Sequence, residues 1–158
     1  MTTSSTIIAT IVLVFISLVV GRFLSAKRAD RMCKLFELDA DCFKLVGSDL
    51  GGSKNPLKLI EDGLIGVPDA VFRCIREERF VVGEAKSRRY RGYITPYERF
   101  QLTLYLGMAA KRFNMPVAGR LRYGCGTVVQ INSDSATYQT LLDLLPRYRS
   151  LVREIGLA

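Results

Sequence analysis

The sequence predicts a mixed α/β domain carried behind a single apolar N-terminal helix. Three observations set that expectation: an apolar run from Ile7 to Leu24, two β-rich runs over 63–74 and 80–86 divided by a short charged break, and a capped helix from Thr95 followed by further β-rich segments. At 158 residues the chain has room for one domain with its own core and too little for two ordinary ones. The expected organisation is a membrane anchor over 1–25, a juxtamembrane helix and linker over 26–56, and the α/β domain over 57–158.

The apolar run contains Thr10, Ser17, Gly21 and one charge, Arg22, which is the first ionisable side chain of the sequence. As a helix it spans about 27 Å, close to the hydrocarbon thickness of a bilayer, and Ile7 to Val20 carries almost no polar stripe with which to face water. A cleaved signal peptide would begin with basic residues; here the cations Arg22, Lys27, Arg28 and Arg31 follow the run. The expectation is a single-pass lipid-bilayer anchor over Ile7 to Leu24 with the C-terminal domain cytoplasmic.

Ala26 to Val46 alternates apolar and charged residues in a way that predicts a juxtamembrane helix, and Gly47 to Pro56 is a loop by its glycine, serine and proline content. The Gly51-Gly52-Ser53-Lys54 run lacks the spacing of a phosphate loop. The runs Gly63 to Cys74 and Phe80 to Lys86 predict an antiparallel hairpin across Arg76-Glu77-Glu78-Arg79, with Pro68 at an edge, a bulge or the end of regular pairing. Side chains alternate along a strand, so Glu84 and Lys86 share a face. With a four-residue loop from Arg76 to Arg79, Asp69 joins that face opposite Lys86.

Thr95-Pro96-Tyr97-Glu98 is a capping box with proline at the first helical position, and Asn114 and Pro116 stop the helix near Phe113. Glu98, Gln101, Tyr105, Met108 and Arg112 fall on one stripe, read as the polar side; Tyr97, Phe100, Leu104 and Ala110 are expected on the sheet. Ala118 to Tyr123 and Thr127 to Ile131 predict strands about a Gly124-Cys125-Gly126 turn, and Ser135 to Ile155 a helical region interrupted at Pro146.

Histidine is absent, which excludes Ser-His and Cys-His catalysis and most zinc sites built on imidazole. The cysteines at 33, 42, 74 and 125 form no Cys-x-x-Cys pair and read as reduced thiols, with no iron-sulfur cluster expected. A net charge of +8 and a pI near 9.6 favour an anionic partner, either nucleic acid or an acidic membrane surface. Two carboxylates held together repel unless a cation lies between them, and hard oxygen ligands without histidine suit Mg²⁺ or Mn²⁺. Lys86 beside them would orient a nucleophile or neutralise charge on phosphoryl oxygens. Gln101 and Tyr105, one turn apart, are placed to hydrogen-bond a phosphate, a metal-bound water or an acidic ligand. The run from Lys86 to Tyr93 interleaves cations with tyrosines, which marks Arg88, Arg89, Arg91 and Tyr93 as DNA-binding candidates.

Gly66-x-Pro68-Asp69, Glu84-x-Lys86 and Gln101-Leu102-x-x-Tyr105, in that order, resemble the PD-(D/E)xK nuclease superfamily, in its RecB-like branch with a Q-h-x-x-Y helix motif. The resemblance covers roughly Leu57 to Ile131. It implies a restriction-endonuclease-like mixed sheet flanked by helices and divalent-metal-dependent DNA cleavage. It also implies Asp69, Glu84 and the Ala85 carbonyl as metal ligands, Lys86 as the catalytic lysine, and Gln101 and Tyr105 as residues that orient the site or the DNA strand. The branch usually supplies another acid from upstream, for which Glu37 and Glu61 both qualify. A membrane-tethered DNA-binding or scaffold module without turnover is the alternative, and a basic linker that grips anionic lipid is a third.

Overall fold

The computed structural model describes residues 3–50 and 56–154, with the side chains of the first helix described from residue 13 onward. Five strands form one mixed sheet in the order β1-β4-β5-β6-β7, and two more form a separate hairpin, β2-β3. The elements are α1 (Thr3–Leu35), β1 (Phe43–Ser48), β2 (Leu59–Glu61), β3 (Leu64–Gly66), β4 (Ala70–Cys74), β5 (Phe80–Lys86), α2 (Pro96–Phe113), β6 (Val117–Tyr123), β7 (Val128–Asn132) and α3 (Ser135–Glu154). Only β5 and β6 run parallel, joined by α2 as the crossover; the other neighbours in the main sheet are antiparallel. The mixed α/β class expected from the sequence is therefore present.

Alternation along the strands divides the core into two faces. Val71 of β4 and Phe80 and Val82 of β5 pack with Leu102, Leu106 and Ala109 of α2. Ala70 and Phe72 of β4 and Val81 of β5 pack with Met32 and Cys33 of α1 and with Phe36 just beyond its end. Both helices are thus needed to cover the sheet.

The C-terminal part of α1 and all of β1 belong to this fold. The juxtamembrane helix expected over Ala26 to Val46 ends instead at Leu35, and Phe43–Ser48 is an edge strand paired with β4, with a bulge between Leu45 and Gly47. Of the loop expected over Gly47 to Pro56, residues 51–55 lie outside the described residues. The single strand expected over Gly63 to Cys74 is split into β3 and β4 at Pro68, which has no N–H for a ladder. Between β2 and β3, Asp62 and Gly63 both take positive φ, 52° and 70°, as a two-residue hairpin turn requires. Asp62 then accepts from Lys111 of α2 and from the Tyr138 hydroxyl of α3, fastening the hairpin to both helices.

Helix α3 continues through Pro146, where an interruption was expected; Ile155 lies outside the described residues. From Leu13 to Leu24 the large apolar side chains of α1 are exposed. Among the described residues no helix is long and apolar enough to cross a membrane, and the first part of the span expected over Ile7 to Leu24 carries side chains outside that set.

Gly83 of β5 lies under the buried Phe36 ring, where an added Cβ would come within 2.7 Å of a ring carbon. Gly83→Ala should therefore destabilise the folded chain by about 1–3 kcal/mol, and Phe36→Leu in the same chain should recover part of that loss. Thermal melts of the two variants check this.

Candidate functional site

The acids and the lysine come from the ends of β4 and β5, and α2 closes over them. Arg73 pairs with Phe80, Ala70 pairs with Gly83, and the Cys74 N–H donates to the Arg79 carbonyl at 3.0 Å. The connecting loop is Ile75 to Glu78, which keeps the expected four-residue length but moves the register by two residues. Continued by one residue, it sets Asp69 opposite Glu84, not opposite Lys86 as expected. An even loop preserves the face, so all three side chains still rise on the α2 side of the sheet.

The Ala85 N–H donates to Asp69 Oδ2 at 2.7 Å. Glu84 Oε1 accepts from Lys86 Nζ at 3.0 Å and from Gln101 Nε2 at 2.9 Å. Lys86 Nζ also donates to Gln101 Oε1 at 2.7 Å, and Gln101 Nε2 reaches Tyr105 Oη at 3.3 Å. One glutamine amide thus holds the acid, the lysine and the tyrosine in a single network. The ring of Tyr105 lies directly over Gly66, where an added Cβ would fall 2.7 Å from a ring carbon, so the glycine of the Gly-x-Pro-Asp run makes room for the tyrosine of the helix motif.

Glu84 is 6% exposed, and its Oε2 is buried with no hydrogen-bond partner among the described residues. Burial, and then the neighbouring Asp69 charge, push its carboxyl above the ordinary glutamate range, against the pull of Lys86. Burial likewise raises Asp69; the Ala85 amide and Lys86 oppose it, and Asp49 adds to it. Burial holds the Tyr105 hydroxyl above the usual phenol range, so it remains a donor at neutral pH. An orphaned carboxylate oxygen beside a second acid, with one lysine shared between them, is a donor set suited to a hard divalent cation. Glu84 and Asp69 are the carboxylates available to hold one, and the family resemblance would add the Ala85 carbonyl. Among the described residues no group of three or more His, Cys, Asp or Glu side chains is arranged to hold a metal.

The two upstream acids proposed from sequence do not join the site. Glu37 is exposed just beyond α1 with φ 53°, and Glu61 sits in β2, where its charge acts on Tyr138. Asp49 is the acid that sequence reasoning missed. Its N–H donates to the Asp69 carbonyl at 3.0 Å and its charge raises the Asp69 carboxyl. The signal that would have found it is the β1–β4 pairing, since Ser48 lies opposite Ala70.

Arg88 is committed elsewhere as well. Its Nε and Nη2 form a fork on Glu98, at 2.7 and 2.6 Å. Glu98, expected on the polar stripe, is 4% exposed and also accepts from the Thr95 N–H and the Tyr123 hydroxyl. Arg88, above all, holds the Glu98 carboxyl down at about 2. Arg88 therefore fastens the start of α2, while Arg89, Arg91 and Tyr93 remain exposed around a recess of about 660 Å³. The helix face read as apolar is also reversed: Tyr97 and Phe100 are 72% and 45% exposed, and Met108 is buried. The four cysteines are free thiols, with Cys33 and Cys74 buried and Cys125 exposed.

No family model and no curated protein matches the chain. Among solved structures it is similar to the crystal structure of SSO0001, at 21% identity over 81% of this chain and 59% of that one, with a TM-score of 0.36. The chain thus spans under two thirds of that protein, and a likeness this slight carries no argument about either fold or function.

Two pH effects of opposite sign follow. Asp69 and Glu84 titrate above their ordinary range when folded, so the metal-free folded chain holds more protons than the unfolded one across that interval. Their contribution to stability falls as pH rises through it and is lowest above it. Glu98 contributes stability that is present above the ordinary glutamate value and is lost as pH falls towards about 2. Melting curves against pH should show Asp69→Asn most stabilising, relative to wild type, at neutral pH, and Glu98→Gln destabilising at neutral pH with a smaller deficit in acid.

Proposed function

We propose that this chain is a divalent-metal-dependent DNA nuclease of PD-(D/E)xK type with a restriction-endonuclease-like domain, using Mg²⁺ or Mn²⁺. The observation that carries the reading is the buried, unpartnered Glu84 Oε2 beside Asp69, with Lys86 held at the same point by Gln101. The ordered Gly-x-Pro-Asp, Glu-x-Lys and Gln-h-x-x-Tyr runs support it from the sequence side.

Asp69 and Glu84, with the Ala85 carbonyl, would hold the cation, which when bound supplies Lewis-acid polarisation of a phosphate and a lowered pKa for water. Lys86 Nζ places a positive charge where negative charge develops on phosphoryl oxygens, and its bonds to Glu84 and Gln101 keep it there before substrate arrives. Tyr105 keeps its proton and offers a neutral donor. Arg89 and Arg91 are the cations available to the DNA backbone outside the site.

The exposed apolar residues of α1 from Leu13 to Leu24, followed by Lys27 and Arg31, support a membrane-tethered protein whose C-terminal domain faces the cytoplasm. A DNA-binding or scaffold module without turnover is the second reading, favoured by the bonds to Glu84 and Gln101 that already engage two of the three Lys86 N–H groups.

The full chain in phosphatidylcholine nanodiscs should cut DNA with Mg²⁺ or Mn²⁺ and not with chelator. Glu84→Gln and Lys86→Ala should each lower the cleavage rate at least about 100-fold while melting as folded proteins. DNA binding with no metal-dependent product on linear, circular, single-stranded and branched substrates would support the second reading. Cutting at the wild-type rate by both variants would remove the site assignment.

A further inference from the structure

Where the exposed apolar band of α1 ends, a recess of about 540 Å³ opens against the end of β1, lined by Lys27, Arg28, Arg31, Met32, Leu35 and Leu50. Lys27 and Arg31 stand one turn apart and exposed, and neither forms an ion pair among the described residues. Arg28 Nη2 donates to the Ser48 and Leu50 carbonyls at 3.4 and 3.0 Å. Those bonds fix the inner wall and leave the Arg28 Nε and Nη1 donors open among the described residues. Residues 22–34 carry five cations against one acid, Asp30, whose charge acts on Cys33 and which does not line the recess. The patch is therefore positive and lacks an anion of its own.

We propose that this recess holds the headgroup phosphate of an anionic phospholipid whose acyl chains lie along Val20 and Leu24. The inference rests on the membrane-tethered part of the proposed reading, names the lipid class, and does not depend on cutting. Val20, Leu24, Lys27, Arg28 and Arg31 follow one another at spacings of three and four, so they share one side of the helix. Val20 and Leu24 are 49% and 61% exposed, and the first cations come within about 5 Å further along the axis. Apolar chain and then phosphate is the order of a phospholipid read from the hydrocarbon towards water. Lys27 Nζ lies 4.5 Å from the centre of the Phe23 ring, at the boundary of the two zones. A zwitterionic headgroup would bring a second cation into a patch that is already positive, whereas an anionic headgroup brings only the matching charge. DNA would match the charge but not the apolar ridge. The recess also belongs to α1, which covers the face of the sheet opposite the one on which Asp69, Glu84 and Lys86 rise.

The test uses the full chain in phosphatidylcholine nanodiscs doped with spin-labelled phosphatidylglycerol or spin-labelled phosphatidylcholine. Electron paramagnetic resonance separates lipid held on the protein from lipid moving freely in the bilayer. Wild type should prefer phosphatidylglycerol by roughly five- to thirtyfold, about fivefold for each cation engaged. Lys27→Gln with Arg31→Gln should bring the two lipids near parity, and Lys27→Arg with Arg31→Lys should keep the preference. Lys44→Gln with Arg73→Gln removes the same charge from exposed strand positions and should leave the preference unchanged. Parity of the two lipids in wild type, or an equal loss in the Lys44 and Arg73 variant, would overturn the headgroup assignment. Loss in the conservative pair as well would overturn it in favour of a structural role. Displacement of the labelled phosphatidylglycerol by inorganic phosphate at matched ionic strength, or by an oligonucleotide, would overturn it in favour of a free-phosphate or a DNA contact. A chain that cuts DNA with metal but shows no lipid preference would leave the nuclease reading standing without this site. A lipid preference in a chain that cuts nothing would support the site and remove the nuclease reading.

Discussion

Burying Glu84 beside Asp69 is the constraint around which the rest of the site is arranged. Two carboxyls at the ends of adjacent strands repel each other and lose hydration, and one lysine offsets this only in part, as the upward displacement of both carboxyls records. Gln101 stands at the junction. Its amide oxygen takes Lys86 and its amide nitrogen serves Glu84 and Tyr105, so the four-residue spacing of Gln101 and Tyr105 on the helix amounts to a clamp on the strand motif. That clamp works only if α2 is docked at one height. The Leu102, Leu106 and Ala109 contacts with the sheet and the Arg88–Glu98–Tyr123 cluster at its first turn hold it there.

Much of this was legible because it follows from local periodicity. Glu84 and Lys86 share a face by the alternation of a strand, and Thr95-Pro96-Tyr97-Glu98 is a capping box whose reciprocal bonds are both formed. The glycine-bounded turn between β6 and β7 was likewise readable. What escaped was set by long-range pairing. The four charged residues Arg76 to Arg79 marked a break, but the bond from Cys74 to Arg79 draws that arginine into the ladder and turns the chain at Ile75 to Glu78, shifting Asp69 from Lys86 to Glu84.

The orientation of α2 failed for a related reason. Aromatic residues were assigned to the core, yet the face against the sheet is made by aliphatic and small residues, leaving Tyr97 and Phe100 outside. Glu98 looked like surface because nothing in its neighbourhood announced that Arg88, ten residues earlier, would neutralise it in the interior. β1 was hidden by a mixture of apolar and charged residues compatible with a helix, and with it went Asp49, whose approach to Asp69 exists only once β1 has paired with β4.

These arrangements make one demand that outlasts the choice between cutting and mere binding. On the proposed reading the orphaned oxygen of Glu84 and the raised carboxyl of Asp69 take a cation, and metal should then bind in competition with the protons those groups otherwise hold. The most direct measurement is electron paramagnetic resonance of Mn²⁺ titrated into the full chain at neutral pH. Bound Mn²⁺ that is displaced by Mg²⁺, and is lost in Glu84→Gln and Asp69→Asn proteins that remain folded, is the predicted result. Mn²⁺ retained equally by both variants, or not bound by wild type at all, would contradict the account.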